Sequence, residues 1–366
     1  MGPRPPQTES TYDLARGAIA ARDAAEGVRR IRQLLDEATE GRELFPLFIE
    51  RARRFLLDRG VPPAAVSDEE RRILSLLGAT EGRASRRGAA PPGPTSEERA
   101  RREGGASKAP RRRAGDTDAL DMPREWAAVL EVAARAERAC LAGDGQAASD
   151  LVEEVRSAWM AVHDRFCDIT CGLFSLAAER LGESVVGAMW DDVIGHMYPS
   201  RDAYDRDRRP WAESVPLLLE DAAVSLRGHL SGPRRTGEVS LREEEDRWVF
   251  RFDPCGSGGR TLRADANADG TARAGPPFGF RVTTEPHDWA WRTKGVCLYC
   301  VHCCQLQERA SIVRLGYPVR VVEPPVWGTA EPRGHCTWSV YKDPRLVPAE
   351  AYRRVGWVKP GDEHDG

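Results

Sequence analysis

The sequence predicts an α+β fold in which N-terminal helical hairpins form a bundle and a small C-terminal α+β domain follows. Through the first part of the chain, apolar residues recur with the 3.6-residue period of amphipathic helices. After residue 236 the pattern changes to the alternation that is typical of short strands, with many Pro and Gly turns. Six of the nine cysteines lie between residues 255 and 336, so this C-terminal part is also rich in cysteine.

Composition and charge exclude several classes of protein. A chain of 366 residues with 41 % hydrophobic residues can bury the cores of two domains, and a net charge of −3 gives no argument for nucleic acid as the main partner. The N-terminus MGPRPPQTES has no apolar run, so we expect neither a signal peptide nor a membrane partner. An odd number of cysteines argues against a disulfide framework, and we therefore expect a cytoplasmic protein. Its oligomeric state stays open.

The helical part is predicted to fall into three segments. Residues 1–79 form a hairpin whose second element begins near Leu44 and ends at Gly60, because glycine favours helix ends. Residues 80–117 lack apolar periodicity and are predicted to be a disordered basic linker. The helical pattern resumes at Pro123, so residues 118–235 continue the bundle. The apolar positions of the first element are Ile19, Val28, Ile31, Leu34 and Leu35.

The predicted linker is strongly basic. Between residues 81 and 115 it holds ten Arg or Lys against four Glu, a local net charge of +6. Such a segment can make weak, salt-sensitive contacts with nucleic acid or with an acidic protein. The alternative interpretation is a solubilising tether.

Two segments of the helical part resemble each other. DAAEGVR begins at Asp23, 37 positions before Gly60, and DGQAASD begins at Asp144, 38 positions before Gly182. Each segment reads as a helix, a break and a second helix that ends near glycine. Two copies of one hairpin could therefore pack as a four-helix bundle.

Residues 236–366 are predicted to be an α+β Cys/His metal-binding domain. The stretches GEVSLRE and RWVFRF alternate apolar and polar residues around a polar turn, which indicates two paired strands. One helix is expected at 304–315, before Gly316. Further strands are expected at 279–283, 319–322 and 337–341.

The stretch CLYCVHCC carries two overlapping CxxC motifs, Cys297 to Cys300 and Cys300 to Cys303. Two thiolates at this spacing can bind one tetrahedral ion, and a second pair from a distant segment usually completes the shell. Turns next to predicted strands offer that pair at Cys255, in DPCGSGGR, and at Cys336, in GHCTW. The predicted zinc ligands are Cys255, Cys300, Cys303 and Cys336, with Cys297, His302 and His335 as alternates. An iron–sulfur cluster on the same cysteines is the alternative cofactor.

There are more ligand-type residues than a closed four-coordinate site needs, which suggests catalysis. Cys304 lies at the start of the predicted helix, where the helix dipole favours a thiolate. We predict that His302, Cys304 and Arg260 are catalytic. A cysteine turn that leads directly into a helix resembles treble-clef zinc modules in outline over about 20 residues, without their paired CxxC.

The roles of two further segments stay open. The glycines of DPCGSGGR either cradle an anion or let a turn bend around Cys255. In the helical part, His196 and His229 could approach His163 and form a second metal site, although a histidine at the edge of a helix interface is the simpler interpretation.

The functions that remain are a metal-dependent enzyme acting on a small molecule, an interaction protein with a structural zinc module, and an iron–sulfur protein. If the protein is an enzyme, we expect a hydrolase or lyase.

Overall fold

The structure, a computed structural model, describes residues 6–87, 120–328, 330 and 333–362. It consists of helices and a small antiparallel sheet. The helices are α1 (Thr11–Ala20), α2 (Ala24–Asp58), α3 (Pro63–Arg87), α4 (Met122–Leu141), α5 (Gly145–Leu181), α6 (Val186–Ile194), α7 (Trp211–Gly228), α8 (Val301–Cys303), α9 (Ala310–Leu315) and α10 (Ala349–Arg353). None of these helices, within the described ranges, is long and apolar enough to cross a membrane.

The structure has two helical hairpins, α1–α2 and α4–α5, which share one turn geometry. The breaks predicted inside the segments 23–60 and 144–182 are wrong, because each segment forms one continuous helix and the turns lie before Asp23 and Asp144. Asp23 and Asp144 cap α2 and α5, each accepting a hydrogen bond from the backbone N–H three residues later. The residue before each cap adopts a left-handed conformation, with φ of 59° at Arg22 and 75° at Gly143. The helices α1, α2, α4 and α5 pack against one another.

The first hairpin differs from the prediction in where its turn lies. α2 runs for 35 residues without a break, through Pro46, and ends just before Gly60. The interruption expected before Leu44 is therefore wrong, and the turn lies at residues 21–23 instead. The apolar stripe continues from Leu34 to Phe45 and Phe48 on one buried face, which explains why packing holds the helix together across the proline.

The predicted linker begins inside α3, since this helix extends to Arg87. The remainder of the segment 80–117, with most of its basic residues, lies outside the described residues. The division of the chain at residues 118 and 236 stays a prediction.

Close contacts fix the end of α7 against the bundle. Trp159 of α5 donates its indole N–H to the carbonyl oxygen of Gly228, at 2.8 Å. A Cβ on Gly228 would lie 2.0 Å from the carbonyl oxygen of Glu37 in α2, so only glycine permits this approach. The next residue, His229, is thereby held beside α2 and α5.

The sheet has the strand order β1-β2-β4-β3, and all its pairs are antiparallel. Its strands are β1 (Ser240–Glu243), β2 (Arg247–Phe252), β3 (Val321–Glu323) and β4 (Cys336–Tyr341). The expected strand at 279–283 is wrong, because only an isolated bridge joins Val282 to Cys297. Gly279 has a φ of 67° there, and prolines at 276 and 277 supply no N–H donor.

The helix predicted at 304–315 begins one turn earlier. It consists of α8, a π-helical turn at Cys304–Arg309, and α9. It ends at Gly316, whose φ is 80°, as the sequence predicts. The earlier start places His302 and Cys303 inside the first helical turn rather than before it.

Candidate functional site

A cavity lies between α2, α7 and the segment that leads into α8. We call it the central cavity. Part of its wall is apolar, with Phe48, Leu226 and Leu306 among the lining residues. The remaining wall carries polar and ionisable side chains, which we group as a donor end and a charged end. The donor end consists of His229, Cys255, Ser257, His302 and Cys303, and the charged end of Glu40, Arg201, Asp221 and Arg320.

The glycine-rich turn is shaped by two close approaches. A Cβ on Gly256 would lie 1.6 Å from the carbonyl oxygen of His229, and one on Gly258 would lie 2.5 Å from Sγ of Cys300. The turn therefore passes between the end of α7 and the cysteine turn, where a side chain would clash. This contact supports the packing interpretation of these glycines and places Cys255 on the cavity wall.

A chain of hydrogen bonds orients His229. Burial would raise the pKa of Asp164, but Arg235 and Arg260 hold it well below its usual range, so this carboxylate is charged. It accepts the Nδ1 proton of His163 at 2.8 Å, which leaves a lone pair on Nε2 of His163. Nδ1 of His229 lies 3.1 Å from that lone pair and donates its proton. Nε2 of His229 consequently carries a lone pair, and it has no hydrogen-bond partner in the described part of the chain.

Ser257 completes this arrangement. Its Oγ lies 2.9 Å from Nδ1 of His229 and 3.5 Å from Nε2 of His163, so it bridges the two rings. Both the hydroxyl and the ring of His229 face the central cavity.

His302 is oriented in the same manner. Its Nδ1 donates to the carbonyl oxygen of Tyr299 at 2.6 Å, so its Nε2 also carries a lone pair. That nitrogen lies 3.4 Å from Sγ of Cys303. Burial, followed by the neighbouring Cys255, raises the pKa of the Cys303 thiol. Two imidazoles with tethered Nδ1 atoms and two thiols thus share one wall.

The predicted zinc ligands divide into two groups. Cys255 and Cys303 line the central cavity, whereas Cys300 and Cys336 are buried and do not line it. A hydrogen bond with Cys297 and burial raise the pKa of Cys300, and Cys255 and Cys303 add to this shift, so its sulfur also neighbours theirs. Burial and then the thiols of Cys255 and Cys303 raise the pKa of Cys336, so these sulfurs are electrostatic neighbours. Among the alternates, His302 lines the cavity. His335 is partly exposed, and Cys297 is buried; neither belongs to the cavity wall.

Cys297 belongs to a separate thiol group. Hydrogen bonds from Cys171 and Cys300 lower the pKa of Cys297, and Thr261 Oγ1 lies 3.2 Å from its sulfur. Cys171 comes from α5, and its contact with the cysteine turn had no signal in the sequence beyond its helical position.

The predicted catalytic residues do not meet at one point. His302 faces the cavity, but Cys304 is buried elsewhere and its thiol donates to the carbonyl oxygen of Asp288 at 3.7 Å. Arg260 is fully buried and forms ion pairs with Asp164 and Asp168. Its role in the structure is to connect α5 to the segment after β2. Of the histidines predicted to approach His163, His229 does so, and His196 is exposed.

Within the described ranges, no group of three or more His, Cys, Asp or Glu donors is arranged to hold a metal ion. Comparison with known protein families, with curated proteins and with solved structures gave no match.

Proposed function

We propose that the protein is a zinc-dependent enzyme that acts on a small molecule in the central cavity. The proposed ligands are Cys255, Cys303, His229 and His302. The observation that carries the proposal is the pair of imidazoles whose Nδ1 atoms are each tied by a hydrogen bond, on the same wall as two thiols. Metal-binding histidines are generally oriented in this way, through the ring nitrogen that does not bind the metal.

One pair of donors already has a suitable spacing. In a tetrahedral zinc site, bond lengths of about 2.3 Å to sulfur and about 2.1 Å to nitrogen separate the two ligand atoms by about 3.6 Å. Sγ of Cys303 and Nε2 of His302 are 3.4 Å apart. Since no three donors converge, Cys255 and His229 must approach this pair when the ion binds. The open space of the cavity lies between these side chains.

The proposal modifies the ligand set expected from the sequence. It keeps Cys255 and Cys303 and replaces Cys300 and Cys336 with imidazoles, because those two thiols do not line the cavity. With four protein ligands, a zinc ion would need a fifth position for water or substrate; there it would supply a Lewis acid and lower the pKa of bound water, which suits a hydrolase or lyase. The protein's own contribution would be to fix the ring of His229 through His163 and Asp164.

A metal-free thiol enzyme is the second candidate. The contact between Cys303 and His302 favours it, because an imidazole next to a thiol can act as its base. The raised pKa of Cys303 argues against it, since only the thiolate is a nucleophile.

Elemental analysis and a visible spectrum of the untagged full chain test the proposal. We expect one zinc per chain in the wild-type protein, and less than a tenth of that amount in Cys303→Ser and His229→Ala. Cys140→Ser is the matched control, because this buried thiol donates to the carbonyl oxygen of Ala24 in the bundle, away from the cavity. It should retain full zinc content. Circular dichroism establishes that each variant is folded.

The alternatives give different results. A brown protein with stoichiometric iron would replace zinc with an iron–sulfur cluster. A folded wild-type protein without metal, whose Cys303 is alkylated by iodoacetamide with loss of activity, would favour the thiol enzyme. Full zinc content in both cavity variants would contradict the proposed ligand set.

A further inference from the structure

The charged end of the central cavity contains a cation, Arg201, that has no direct carboxylate partner among the described residues. Arg201 is only 7 % exposed, yet its guanidinium binds neutral groups, Gln307 Oε1 at 3.1 Å and Ser200 Oγ at 3.0 Å. No carboxylate in the described part of the chain lies within 4.0 Å of it. A buried charge without a partner is costly, and proteins normally provide one. Two of the five guanidinium N–H groups have no partner and are free for an anion.

A second guanidinium lies on the same wall. Arg320 is 2 % exposed and pairs with Asp221 at 2.6 Å, while its Nη2 also donates to the carbonyl oxygen of Leu218. Its Nε is buried and has no hydrogen-bond partner among the residues that the structure describes. Arg201 and Arg320 therefore both retain unused donors next to the cavity.

The neighbouring acids limit the charge of the ligand. Glu40 and Asp221 line the same end and offset part of the positive charge of the two arginines, while burial, followed by Asp221, raises the pKa of Glu40. A monoanion fits such a site better than a phosphate dianion. A planar carboxylate also matches the fork of a guanidinium.

We infer that the central cavity binds a small monocarboxylic acid with an aliphatic or aromatic body, its carboxylate on Arg201 and Arg320. The apolar wall, with Phe48, Leu226 and Leu306, accommodates the body. The inference deepens the proposed function, on which it rests for the reaction at the donor end. The binding itself does not require the metal.

Calorimetric titration of the full chain tests the inference with hexanoate, phenylacetate, hexanamide and hexyl phosphate as probes. We expect one of the two carboxylates to bind at least tenfold more tightly than hexanamide and hexyl phosphate, because only a carboxylate satisfies the guanidinium donors without excess charge. Arg201→Gln should weaken carboxylate binding at least tenfold, and Arg201→Lys should restore only part of it. Arg314→Gln is the matched control, since Arg314 pairs with Asp202 outside the cavity wall and should leave binding unchanged.

The inference would be wrong if neither carboxylate binds more tightly than hexanamide. It would also be wrong if Arg201→Gln binds carboxylate as tightly as the wild type does. Tighter binding of hexyl phosphate would overturn it in favour of a phosphate ligand. If Arg201→Gln does not fold, the comparison of carboxylate and amide binding to the wild-type protein tests the inference by itself. Zinc content is measured on the same samples, so carboxylate binding by a zinc-free protein would contradict the proposed function and leave this inference standing.

Discussion

The ion-pair cluster around Asp168 leads to a prediction about stability. This carboxylate is completely buried in α5 and accepts hydrogen bonds from Arg260 and from Nε of Arg273, the latter at 2.9 Å. Both arginines belong to the segment after β2, so the cluster connects the helical and the cysteine-rich parts. Asp168→Asn keeps the shape of the side chain and removes its charge. The two guanidiniums, 0 % and 4 % exposed, would then lose a shared counter-ion.

Removing one partner from a buried ion pair typically costs about 3–5 kcal/mol. In Asp168→Asn, Arg260 would still pair with Asp164 at 3.2 Å and Arg273 with Asp269 at 2.9 Å. We therefore expect a loss at the lower end of this range, about 3 kcal/mol in the free energy of unfolding. Urea unfolding followed by tryptophan fluorescence measures the change, since the chain has ten tryptophans.

A matched control separates burial from charge. Asp202→Asn breaks the pair with Arg314, which is 2.6 Å long and about one-third exposed on each side, and should lower the free energy of unfolding far less than Asp168→Asn, because solvent screens this pair. Equal losses for Asp168→Asn and Asp202→Asn would refute the argument that Asp168 acts as a buried counter-ion.

Three further changes have defined outcomes. Gly256→Ala should lower the free energy of unfolding by about 3 kcal/mol, because the new Cβ would collide with the backbone of His229. The control is Gly275→Ala, whose Cβ would have no atom within 4 Å and which should leave the free energy of unfolding unchanged in the same urea assay. Arg22→Gly should raise the free energy of unfolding by about 0.5–1 kcal/mol, because the exposed Arg22 has a φ of 59°, a conformation that glycine adopts without strain. A lower melting temperature of the variant would contradict this prediction. Burial lowers the pKa of His163 to about 4. Below about pH 6.5 the unfolded chain therefore binds a proton that the folded protein excludes. The contribution of His163 to the free energy of unfolding is full above about pH 6.5 and falls as the pH drops towards 4. Between pH 7 and 4 the wild type should lose about 3 kcal/mol more than His163→Gln, and equal losses would exclude His163 as the cause.

Local patterns in the sequence predicted the elements well. The strands β1, β2 and β4 depend on neighbouring residues, so the alternation of apolar and polar residues was sufficient to find them. The continuity of α2 through Pro46 was missed, because contacts with other helices decide whether a proline interrupts a helix. The strand expected at 279–283 failed for the opposite reason, since alternation alone does not provide a partner strand.

The candidate site could be predicted only in part. Cys255, Cys303 and His302 came from motif spacing, and all three line the central cavity. Cys300 does not line the cavity, and its sulfur lies against Gly258, 42 positions earlier in the chain, a contact that no spacing rule could reveal. Arg201 belongs to the run RDAYDRDRR, whose alternating charges are typical of a solvent-exposed connection. Only the fold shows that its side chain is buried.

The position of Arg260 explains how a residue outside the cavity can influence the chemistry within it. Its guanidinium helps to keep Asp164 charged, and a charged carboxylate can only accept the Nδ1 proton of His163. The proton of His229 must then lie on Nδ1, so that ring presents a lone pair to the cavity. A neutral Asp164 would remove this constraint, because a carboxylic acid can also donate and the tautomers of both rings could then exchange. The buried ion pairs that connect α5 to the cysteine-rich part therefore also determine which atom of His229 is available to a metal ion.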